Sequence, residues 1–133
     1  MAGAIMAADA NANKRRAALA ALEMARECVT LGVGTGSTVN LFIEALAASP
    51  GRVRRAVSSS QASSARLAAG GIETVDLNTV TELPLYVDGA DEATRRRHLI
   101  KGGGGALTGE KIVAEAAREF LCIIDDAKLV ETL

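Results

Sequence analysis

Apolar positions change their period several times along this chain, and each change marks an element. From Asn13 to Glu27 the stretch NKRRAALAALEMARE is rich in helix formers, and Leu19, Leu22 and Met24 supply an apolar face, so a helix is predicted. CVTLGVG then reads as a short buried strand that stops at glycine. GSTVNLFIEALAA returns to spacings of three and four through Val39, Phe42, Ile43 and Leu46, the mark of a second helix. RVRRAVSSS is a second strand, QASSARLAAGG a short helix closed by Gly70 and Gly71, and IETVDL a third strand. LPLYVDGADE predicts a strand ending at Val87 and running into an acidic turn, and HLIKGGGG a strand ending in a loop. ALTGEKIVAEAAREF is a helix with Ile112, Val113 and Ala116 inward, and FLCIIDD a final, nearly continuous apolar strand.

Strands that alternate with helices, and are apolar on both faces, predict an α/β fold: a mostly parallel, Rossmann-like sheet with helices on both faces. At 133 residues the chain is expected to form one domain spanning 1–133. Its end, AKLVETL, carries no helix or turn stop and reads as cut at the C-terminus. Aromatic residues are only 2% of the sequence, so the core has to be built from Ala, Val, Leu and Ile.

Fifteen basic residues against 16 acidic ones give a net charge of −1, which argues against a nucleic-acid partner and a membrane-surface partner. The cluster Arg95-Arg96-Arg97 reads as a solvated turn. The start, MAGAIMAADANAN, has no basic region before its apolar run, and no stretch approaches the length of a membrane span. Cys28 and Cys122 are too few for a metal or disulfide framework and read as buried free thiols of a reducing, cytoplasmic compartment.

The chemistry-bearing residues fall at predicted strand ends, where open α/β sheets bind ligands. In GVGTGST, Gly32, Gly34 and Gly36 let the backbone approach a ligand, while Thr35, Ser37 and Thr38 set hydroxyls beside the free amides of the next helix. Position 37 is serine and the second strand ends in Ser58-Ser59-Ser60, so a dinucleotide fingerprint is not met and a compact phosphate fits better. The competing reading is a turn with a serine helix cap. DGADE sets Asp88 and Asp91 on one turn around Gly89 and Ala90, a pair suited to ordering hydroxyls or a lysine. His98 reads as a strand-surface residue, and no ligand set for a metal is evident. Lys101 sits at a strand end inside a glycine loop, where an ammonium can stabilise charge developing on a substrate oxygen. Glu110 falls in the first turn of the next helix, where the helix dipole alone would favour an acid.

Taken in order, GVGTGST, VSSSQAS, YVDGADE, IKGGGGALTGEKI and DDAKLV resemble the A-type ribose-5-phosphate isomerase family, from about Lys14 to the last residue. The resemblance implies a cofactor-independent, metal-free interconversion of ribose 5-phosphate and ribulose 5-phosphate through an enediolate. It implies Glu110 as the base moving a proton between C1 and C2, with Asp88 and Lys101 handling proton and charge at the sugar oxygens. Substrate contacts are implied for Thr35, Gly36, Ser37 and Thr38, for Asp88, Gly89, Ala90 and Asp91, for Lys101 with Gly102, Gly103 and Gly104, and for Lys14 and Lys128. A small sugar phosphate is thus the expected partner, and a homo-oligomer, dimer or tetramer, the expected assembly. This chain departs from the family pattern in having Gly105 and Gly109 before the glutamate, and in lacking the family's small C-terminal α+β domain. The alternative is a truncated, weakly active or inactive fragment that acts only as a sugar-phosphate-binding or regulatory module.

Overall fold

The computed structural model describes the backbone of residues 2–8, 10–90, 92–96, 99–100, 107–125 and 128–131. Strand β1 (Ala2–Ala8) leads into helix α1 (Ala10–Ala25), followed by β2 (Thr30–Val33), α2 (Ser37–Ala48), β3 (Arg55–Ser58) and α3 (Gln61–Ala69). Strand β4 (Glu73–Thr74), β5 (Leu83–Asp88), β6 (Glu92–Ala93), β7 (Leu99–Ile100), α4 (Leu107–Ala116) and β8 (Ala117–Asp125) complete the order.

Six strands form one sheet in the order β1-β8-β5-β2-β3-β4, and every described pairing in it is parallel. From β2 the chain steps outward through β3 to β4, then returns to place β5 on the other side of β2. That reversal opens a crevice between the carboxyl ends of β2 and β5, the place where such sheets hold ligands.

Alternate residues of the strands feed two cores on opposite faces. Leu31, Val33, Leu85, Val87, Leu121 and Ile123 meet α1, α2 and α3, whereas Tyr86, Phe120, Cys122 and Ile124 meet Val113, Ala114 and Ala117. Helices therefore cover both faces, three on one and α4 on the other.

Several details differ from the sequence-based expectation. In α1 the buried face is Ala17, Ala18, Ala21, Leu22 and Ala25, while Leu19 and Met24 are exposed. Small side chains let α1 lie close against its neighbours, and that proximity outweighs burying two larger residues. In α4 the inward positions are Glu110, Val113 and Ala114, with Ile112 and Ala116 exposed. AREF belongs to β8 rather than to the helix. The strand expected in HLIKGGGG is present as β7, but it pairs with β6 in an antiparallel ribbon apart from the main sheet. The third strand is only two residues long, because Asp76 turns the chain into a 3₁₀ turn over Leu77–Thr79 by accepting from Asn78 N. Strand β1 was not foreseen. Arg95 and Arg96 are exposed in a turn, as expected, and Arg97 and His98 lie outside the described residues. Cys122 is buried, but Cys28 is only half-buried; desolvation, then Glu119 and Glu27, raise its thiol pKa.

Candidate functional site

The site is built where β2 and β5 end side by side. Gly34 continues the pairing by donating its amide to Val87 O at 2.8 Å. One residue after Val87, the side chain of Asp88 turns in beneath the loop that follows β2. Its Oδ1 accepts from Thr35 N at 3.1 Å and Gly89 N at 2.7 Å, and its Oδ2 accepts from the Tyr86 hydroxyl. Asp88 is wholly buried. Such a carboxylate is tolerable in a core because donors surround it.

Gly34 makes this arrangement sterically possible. A Cβ at that position would stand 1.9 Å from Asp88 Cγ. The close approach expected of this glycine is thus first of all an approach to Asp88. The Gly34 carbonyl is held from the other side by Ser63 Oγ at 2.5 Å.

The chain then enters α2 through Gly36, whose φ of 111° lies where side chains are disfavoured. Gly36 is the N-cap, so the helix starts with no side-chain cap, and the serine-cap reading of this loop fails. Ser37 is exposed at the first helical position, and Lys14 of α1 donates to its hydroxyl at 3.3 Å. A helix start lacking a side-chain cap, with a lysine at its edge, suits a compact anion. Thr38 is buried among the inner residues of α2, unlike its neighbour Ser37.

Glu110 approaches on α4, which covers the face of the sheet that carries Tyr86. It is 5% exposed, on the same side of α4 as Val113 and Ala114. A carboxylate placed only for the helix dipole would sit in solvent, so burial removes that explanation. Its charge also raises the pKa of Tyr86, after burial and the nearer Asp88, which puts both carboxylates in the neighbourhood of one phenol.

Of the remaining residues singled out in the sequence, Ala90 is buried and Gly89 half-buried in the turn after β5. Lys128 is half-buried in a short segment tied to the ribbon, where Leu129 bridges Ala93 and Val130 N donates to Ala93 O at 2.8 Å. Asp91, Lys101, Gly102, Gly103, Gly104 and Gly105 lie outside the described residues. Tyr86 was missed by the sequence reading, although its position two residues before Asp88 on a strand was the available signal. Among the described residues no three His, Cys, Asp or Glu side chains gather as a metal site, and no helix is long and apolar enough to cross a membrane.

Fold and site together define a parallel α/β protein with an open helix start and two buried carboxylates around its switch-point crevice. The model of the ribose 5-phosphate isomerase A (phosphoriboisomerase A) family matches residues 55–133. A ribose-5-phosphate isomerase A of Bordetella pertussis is 56% identical over 124 residues, covering 90% of this chain and 55% of that protein. The crystal structure of ribose 5 phosphate isomerase A from Neisseria gonorrhoeae is 49% identical and superposes with a TM-score of 0.87, over 90% of this chain and 54% of that one. A D-ribose-5-phosphate isomerase in complex with phospho-erythronic acid is 35% identical with a TM-score of 0.84, over the same shares. The chain belongs to the ribose 5-phosphate isomerase A family, and it spans about half the length of the relatives it matches.

Proposed function

We propose that this chain carries the catalytic site of an aldose–ketose isomerase that interconverts D-ribose 5-phosphate and D-ribulose 5-phosphate. Moving a proton between adjacent carbons takes one base that can reach both, plus groups that manage the charge at O1 and O2. Glu110 is the base, Asp88 and Lys101 serve the sugar oxygens, and Asp91, Gly89 and Ala90 shape the acidic turn. The phosphate lies at the start of α2, against the amides and side chains from Thr35 to Thr38, with Lys14 beside it. Gly102, Gly103, Gly104 and Lys128 are further substrate contacts in this reading. Assembly into a dimer or tetramer belongs to the same reading.

The observation that carries it is the burial of Glu110 on the inward face of α4, near a phenol already bonded to Asp88. The names of the similar proteins and the phosphorylated acid bound to one of them support the same substrate class. Ribose 5-phosphate turnover by wild type and Glu110→Gln is the test. The expected loss is on the order of a thousandfold in kcat, the scale of removing a general base. Equal sugar-phosphate binding by the two proteins, with turnover by neither, leaves a binding module and overturns the enzyme reading.

A further inference from the structure

Tyr86 is the chain's only tyrosine, and it is fully buried. It precedes Asp88 by two residues on β5, so both side chains leave the sheet on one face. Its ring is fixed edge-on to Phe120 of neighbouring β8, with centroids 5.3 Å apart and planes at 70°. Gly32 on the other neighbouring strand leaves room for that ring, since a Cβ there would stand 3.0 Å from Tyr86 Cδ1 and 3.2 Å from Val113. So placed, the phenol can reach Asp88 Oδ2 while the amides of Thr35 and Gly89 hold Oδ1. These donors come from β5, from the loop after β2 and from the turn after β5. Both amides bond Oδ1, and the Tyr86 hydroxyl bonds Oδ2, so removing the phenol oxygen loosens the Oδ2 side of the carboxylate.

We propose that Tyr86 is a positioning residue for the isomerisation, its hydroxyl fixing Oδ2 so that Asp88 meets the sugar oxygens in one orientation. This assignment rests on the isomerase reading. Burial first, then the charge and hydrogen bond of Asp88, raise the phenol well above the ordinary tyrosine value, so Tyr86 keeps its proton and remains a donor at neutral pH. Misplacing a reacting group by about 1 Å can lower a rate by about a hundredfold, which sets the scale for losing the phenol's hydrogen bond.

Tyr86→Phe keeps the ring and its contact with Phe120 and removes one oxygen. The expected result is a fall of at least about tenfold in kcat with KM within about twofold, at unchanged helical signal in circular dichroism. A merely structural role would instead lower the melting temperature and leave kcat of the folded fraction alone. The split between kcat and KM is the readout that a merely structural role would not move. Turnover that Tyr86→Phe leaves within twofold of wild type overturns the assignment. Absence of turnover in wild type overturns the isomerase reading itself, and this assignment with it.

Discussion

Helices α2 and α3 both start at the carboxyl end of a parallel strand, one strand apart; α2 follows a loop of glycine and threonine, α3 a loop of serines. At α3 a serine caps the helix start. Ser60 accepts from Ser63 N at 3.2 Å as the N-cap, and the Ser58 hydroxyl bonds the Ser60 carbonyl at 2.7 Å. The other end of α3 is equally finished: Gly71 at φ 83° lets Gly71 N reach Ala68 O and Ile72 N reach Leu67 O, a Schellman closure. At α2 the N-cap is a glycine with no side chain to offer, and the loop's amide at Thr35 goes to a buried carboxylate instead. A helix that caps itself has used its anion-binding capacity internally; one capped by glycine keeps it for a ligand. The two are also joined, because Ser63 of α3 holds the Gly34 carbonyl of the α2 loop.

The hardest blow to the α2 side is Gly34→Ala. A new Cβ 1.9 Å from Asp88 Cγ cannot coexist with the carboxylate in its present place. Either the loop moves away from β5 or Asp88 leaves the donors around it. Overpacking of this kind costs about 3 kcal/mol, and displacement of Asp88 should abolish ribose 5-phosphate turnover. Urea unfolding and a steady-state assay measure the two parts. A stable, active variant would show that the crevice between β2 and β5 is not where the chemistry happens.

Gly36→Ala is milder and more selective. A Cβ there meets nothing within 4 Å, so packing does not oppose it; the φ of 111° does. Backbone strain of this type costs on the order of 1–3 kcal/mol, relieved if the first turn of α2 rotates. The expectation is a stability loss of about 2 kcal/mol together with roughly tenfold weaker ribose 5-phosphate affinity by calorimetry, since a 1.4 kcal/mol change in binding is tenfold. Lost stability with unaltered affinity would move the phosphate away from this helix.

These contrasts mark what the sequence could tell. The inner face of α2 was legible because Val39, Phe42, Ile43 and Leu46 are large and fall at one period, and all four are buried. The face of α1 was not, because an alanine-rich helix has little to choose between its sides by hydrophobicity, and neighbouring elements selected the small one. In α4 the apolar pattern pointed to Ile112, yet the helix turns Glu110 inward. A buried acid is what a hydrophobic period is least able to foresee. The glycines of GVGTGST were recognised as close-approach positions, but that Gly34 yields its space to Asp88, fifty-four residues on, depends on parallel strands meeting only in the fold. Tyr86 went unnoticed for the same reason: on a strand it reads as one more apolar position, and only its hydroxyl's partner gives it a further meaning.

The smallest effect is expected from Ser60→Ala, and it is the sharpest test of the comparison. The substitution removes the side chain that accepts from Ser63 N and leaves the first turn of α3 to water. Loss of a serine N-cap costs about 1 kcal/mol, which at a urea dependence of about 2 kcal/mol per molar lowers the midpoint by about 0.5 M. Affinity for ribose 5-phosphate should stay within about twofold if the phosphate binds at α2 as proposed. Ser63 keeps its own hydroxyl contact with Gly34 O, so the α2 loop has no reason to shift. If the outcome is inverted, with the midpoint unmoved and sugar-phosphate binding weakened tenfold, then α3 is the helix that meets the phosphate. Its serine cap would be a ligand contact, and the glycine start of α2 would have only a steric reason.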